Sequence, residues 1–96
     1  GGEARAGIKL EGLESGATLR PVPGRERIDV AVRALGAEGA LWWMVDGRPA
    51  LRTDGGRPLS LGFTEDGHHT VTVMDEAGRY DSVHFSVRGL SQAAHH

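Results

Sequence analysis

Apolar residues in this chain recur at every second position in short runs, and glycine or proline separates one run from the next. That period marks strands with one buried face, whereas helical spacing is not sustained over about ten positions anywhere. Ile8 and Leu10 open the first predicted strand. Ala17 to Pro21 is a short edge piece, closed by Pro21 and Pro23, because proline removes a ladder donor. Ile28, Val30 and Val32 share one face of the next strand. Leu41-Trp42-Trp43-Met44-Val45 is the most apolar run, and Leu59, Leu61 and Phe63 line one face of a later one.

Turn chemistry sets the expected pairings. Asp46-Gly47 fits a type I′ hairpin turn, which needs positive φ at both central residues. A regular ladder from that turn pairs Val45 with Arg48, Met44 with Pro49, Trp43 with Ala50 and Trp42 with Leu51. In the last hairpin His69, Val71 and Val73 share a face, as do Val83, Phe85 and Val87. Those rows oppose each other only if Val71 pairs with Val83. That register leaves Glu76-Ala77-Gly78 as the loop, with Gly78 at the left-handed position such loops require. A slip of one residue would turn an apolar row to solvent.

The pattern predicts an all-β, immunoglobulin/fibronectin-type-III-like antiparallel β-sandwich of about seven strands. The domain is expected over residues 8–88, with a disordered N-terminal tail at 1–7 and a C-terminal tail at 89–96. Its predicted core is Trp43, Val45, Val71, Val73, Val83 and Phe85. Trp43 is the central member, and truncating it to alanine is expected to cost about 3–5 kcal/mol.

Composition narrows the function classes. The net charge of −2 gives no attraction to nucleic acid or to an anionic membrane. With no cysteine there is neither a disulfide framework nor a thiolate zinc site. No apolar run approaches the ~20 residues that span a bilayer, so direct membrane insertion is not expected. The chain opens Gly1-Gly2 and reads as a piece of a longer protein.

Leu41-Trp42-Trp43-Met44-Val45-Asp46-Gly47-Arg48-Pro49 resembles the tryptophan strand and hairpin of the C-terminal domain of the penicillin-binding protein 1C family. Residues Val71 to Val83 resemble its last hairpin, and Ser15-Gly16-Ala17-Thr18-Leu19 its opening strand. The similarity covers residues 8 to 88. It implies a parent with a peptidoglycan glycosyltransferase domain, a penicillin-sensitive transpeptidase-like domain and this module at the end. It also implies a Gram-negative periplasm and an inner-membrane anchor on the parent. The family carries no catalytic residue over to this module.

Direct tests for chemistry agree with that. The lone lysine is Lys9, and position 6 is Ala, so the Ser-x-x-Lys of a transpeptidase is absent. Glu65-Asp66, Asp75-Glu76 and Asp81 fall at predicted turns and strand ends and read as solvated turn residues rather than as a catalytic pair. In the predicted register His69 faces inward, while His68 and His84 lie diagonally on the outer face, a poor metal site without a third ligand. His95 and His96 belong to the tail, as native residues or tag remnant. No cofactor and no metal are expected. Asp54-Gly55-Gly56 lacks the following helix that a phosphate cradle needs.

One surface stands above this background. If Trp43 and Val45 point inward, Trp42 and Met44 point outward, with Leu51 across from Trp42 and Arg48 and Arg52 beside it. Tryptophan and methionine are enriched at interfaces. The alternatives are cover by the chain itself, a contact with the parent transpeptidase domain or another envelope protein, and stacking on a glycan ring. Family context adds an α2-macroglobulin-like protein as one partner by analogy. The leading expectation is a non-catalytic interaction module; a carbohydrate-binding module and a plain spacer are the alternatives.

Overall fold

Eight strands form among residues 7–90, the residues that the computed structural model describes. They are β1 (Lys9–Glu11), β2 (Thr18–Leu19), β3 (Ile28–Leu35), β4 (Ala40–Val45), β5 (Arg48–Asp54), β6 (Leu59–Phe63), β7 (Gly67–Asp75) and β8 (Tyr80–Val87). One sheet has the order β1-β3-β6 and the other β2-β8-β7-β4-β5. Leu10, Val32, Leu61 and Phe63 from the first sheet join Leu41, Trp43, Val71, Val73, Val83, Phe85 and Val87 from the second in one buried cluster. This is a sandwich-like, all-β arrangement with a single core. Phe63 and Phe85 meet edge to face across the gap, ring centroids 5.1 Å apart.

The last hairpin has the register read from the sequence, with Val71 opposite Val83 and His69 opposite Phe85. Gly78 has φ +82° in its loop, and its amide donates to the Asp75 carbonyl at 3.1 Å. The Asp46-Gly47 turn also forms as expected, with φ of 53° and 80°, which is type I′ geometry. Val71, Val73, Val83, Phe85 and Trp43 are buried as expected, whereas Val45 is only half-buried at the edge of the core.

Four expectations need correction. The sandwich is not wholly antiparallel, because β2 pairs with β8 in parallel. β1 ends at Glu11 in the three-stranded sheet, and β2 joins the other sheet. There Gly16 and Ala17 bond His84 and Ser86, and Arg88 donates to the Leu19 carbonyl. Second, the β4–β5 ladder is not regular. Trp43 pairs with Leu51 and Trp42 with Arg52, so Ala50 is a bulged residue next to Pro49. Third, packing continues past residue 88. Leu90 is buried in the core, and its amide donates to Asp66 Oδ1 at 2.7 Å. The expected tails lie mostly outside the described residues, as do His95 and His96.

The fourth correction concerns the acids. Asp75 and Asp81 are buried rather than solvated. Asp75 Oδ1 accepts the Ala77 and Arg79 amides, and its Oδ2 accepts Arg79 Nε at 2.6 Å. Burial alone would push this carboxyl up, but the Arg79 and Ala77 donors outweigh it and hold the group below the usual carboxylate range. Asp81 Oδ2 accepts the Leu10 amide at 2.8 Å and so ties β1 to β8. These carboxylates do for the backbone what caps do for helices: they satisfy buried donors.

Candidate functional site

The β4 strand sends successive side chains to opposite faces. Trp43 is 1% exposed, and its indole Nε1–H donates to Thr53 Oγ1 at 2.8 Å, which satisfies the only polar atom of a buried ring. Trp42, one residue earlier, is 42% exposed. It lies between Arg52 of β5 and Met74 of β7 on the outer face of the five-stranded sheet. An apolar groove of about 470 Å³ opens beside it, with Trp42, Met44, Pro49, Leu51, Arg52 and Met74 among its walls.

The bulge rearranges the residues singled out from the sequence. Leu51 is across from Trp43, not Trp42, because the extra residue Ala50 reverses its face. It still lines the groove and is 39% exposed, since β5 is an edge strand with no buried residue. Arg48 pairs with Val45, on the face opposite Trp42, and takes no part in the groove. Arg52 does take part, and its guanidinium approaches Asp54 at 3.6 Å. Met44 is half-buried beside Pro49. Met74 escaped the sequence reading. The alternation that sends Val71 and Val73 inward also sends Met74 outward, but its place beside Trp42 depends on the β4–β7 pairing, which no local turn encodes.

A second constellation lies at the tip of the same hairpin. His69 is inward-facing, as the register requires, and is 8% exposed. Its Nδ1 is 2.7 Å from Asp46 Oδ2 and its Nε2 is 2.8 Å from the Glu65 carbonyl oxygen. Asp46 Oδ1 accepts the Thr70 amide at 2.9 Å. The imidazole lies 5.1 Å from the Phe63 ring and 5.8 Å from the Phe85 ring. Burial works to lower its pKa, but the Glu65 carbonyl and the Asp46 carboxylate prevail and raise it above the ordinary histidine value. His68 and His84 are exposed on the outer face, within hydrogen-bond reach of Ser86 and Thr70 respectively. Among the described residues no three metal-ligating side chains converge.

The comparisons place this geometry in a family. The profile of the Penicillin-Binding Protein C-terminus Family matches residues 1–85. Penicillin-binding protein 1C of Escherichia coli (strain K12) is 31% identical over 85 residues, which is 88% of this chain and 11% of that protein. The chain thus spans about one tenth of the length of the curated relative it matches. No solved structure matches it. No helix among the described residues is long and apolar enough to cross a membrane. With the tryptophan hairpin and all but the last two residues of the closing hairpin inside the matched region, the chain belongs to the penicillin-binding protein C-terminus family.

Proposed function

We propose that this domain is a non-catalytic docking module of a penicillin-binding protein 1C-like peptidoglycan synthase, and that it works through the groove beside Trp42. The single observation that carries this reading is an indole 42% exposed at the mouth of an apolar groove. Covering that ring would remove apolar area worth a few kcal/mol at ~25 cal/mol per Å². The strand order β8-β7-β4-β5 also suits an immunoglobulin- or fibronectin-type-III-like sandwich, with the buried Trp43 on the third strand and β5 extending the sheet beyond it as an added strand of variable-type domains does. Such sandwiches serve as rigid supports for a binding face. Family membership supports an envelope setting, on the periplasmic side of an inner-membrane-anchored parent.

The partner in this reading is the parent's transpeptidase domain or another envelope protein. Trp42, Met44, Leu51 and Arg52 form the contact, and Trp42 is its anchor. A half-exposed indole next to an arginine also suits stacking on a sugar ring, so glycan binding is the competing reading. Immobilised catalytic portion of the synthase and soluble muropeptides, offered in separate experiments, distinguish them. Trp42→Ala is expected to keep the melting temperature and to weaken capture of the catalytic portion ~30-fold, the effect of removing a ~2 kcal/mol anchor. Unchanged capture by the variant would overturn this choice of surface, and binding of muropeptides alone would favour the glycan reading.

A further inference from the structure

The histidine at the tip of the tryptophan hairpin is held in a way that only its charged form satisfies. Both partners of the His69 ring accept: Asp46 Oδ2 is a carboxylate oxygen and Glu65 O is a backbone carbonyl. A neutral imidazole has one N–H and meets one of them; the imidazolium has two and meets both. The Phe63 and Phe85 ring centroids lie within the ~6 Å at which an aromatic ring can attract a cation, and Phe85 is stacked on the imidazole. The partners belong to different elements. Asp46 is the first residue of the β4–β5 turn, and Glu65 lies in the β6–β7 connection. Asp46 also holds the Thr70 amide with its other oxygen, so one carboxylate fastens the hairpin tip to β7. Pro49, a wall of the Trp42 groove, lies three residues beyond Asp46.

We propose that protonated His69 is a clamp on the tip of the tryptophan hairpin, and that losing its proton loosens the wall of the Trp42 groove, which makes the docking face pH-sensitive. This rests on the docking reading above for its biological consequence, but not for its mechanism. The charged and titratable groups around the ring are Asp46 from the turn, Glu65 from the β6–β7 connection, and His68 and His84 on the neighbouring outer face. Asp66 in the same connection is engaged by the Leu90 amide. Asp46 and Glu65 favour the cation. His68 and His84 line one surface hollow with His69, so they are the imidazoles to separate from it.

The direction follows from linkage. A histidine whose folded pKa lies above its unfolded value stabilises the fold fully below about pH 6.5. That stabilisation is lost as pH rises through the higher folded value.

Histidine ring and backbone amide resonances of the labelled chain, followed from pH 5 to 9, test the proposal. The His69 ring is expected to titrate with a midpoint above about 6.5, with the Asp46, Pro49-flanking and Trp42 signals moving at the same midpoint. Asp46→Asn keeps a residue suited to positive φ and removes the charge, so it is expected to lower that midpoint and to uncouple the groove signals from it. His68→Gln and His84→Gln are expected to leave the coupled titration in place. A His69 midpoint at or below about 6.5, groove signals that ignore it, or loss of the transition in either outer-face variant would overturn the clamp. No partner is present in this experiment, so failure of the docking reading leaves its outcome unchanged.

Discussion

Adjacent tryptophans in one strand have opposite fates, and the difference lies in what each ring can reach. Trp43 fills the gap between the sheets and finds Thr53 for its N–H; Trp42 has Met74 and Arg52 as sheet neighbours and solvent above. Alternation made that pair legible in the sequence once Asp46-Gly47 was taken as the turn. The acids were not legible in the same way. Asp75 and Asp81 stand at strand ends, where a solvated carboxylate and a buried one that satisfies amides share the same local pattern. Only the partners tell them apart, and the Leu10 amide that meets Asp81 is 71 residues away. Asp75 leads to a prediction with a definite sign. Its folded pKa is depressed, so its stabilisation is present above the unfolded value near 3.9 and is lost as pH falls through the folded one. Asp75→Asn is expected to lower the melting temperature at pH 7 and to flatten its fall in acid. An acid limb identical to wild type would show that Asp75 does not carry it.

At the scale of elements, the two hairpins show how far turn chemistry reaches. The closing hairpin had two independent constraints, opposed apolar rows and a glycine at the left-handed loop position, and its register was readable throughout. The tryptophan hairpin had the turn alone. Its first pairs follow from that turn, but the ladder shifts at Ala50, where β5 has no buried row to enforce alternation. An edge strand with both faces open specifies its register weakly, and a bulge there also blunts the edge against pairing with other chains. The parallel β2 strand was hidden for a related reason: two residues at a sheet edge carry too little pattern to show direction. Gly78 gives this scale its prediction. A Cβ at Gly78 would meet no atom, so Gly78→Ala carries only the backbone penalty of positive φ, about 1–2 kcal/mol. Gly78→Asn should recover part of that loss. Equal melting temperatures for wild type and Gly78→Ala would mean that the loop does not need the left-handed residue.

For the whole molecule, the core draws on both sheets and closes with Leu90, while β5 stays outside it. The result is a sandwich whose five-stranded sheet ends in the exposed edge strand β5, and the groove beside Trp42 lies next to that edge. The pH-sensitive clamp sits on the same hairpin, so the fold concentrates its adjustable part where its exposed apolar surface is. The two indole N–H resonances report on this arrangement together, one from the core and one from the proposed contact. Titration of the labelled chain with the catalytic portion of the proposed parent synthase is expected to move or broaden the Trp42 indole signal while the Trp43 signal holds its position. A Trp42 signal that stays fixed at saturation, or a response confined to the opposite face of the domain, would contradict the account.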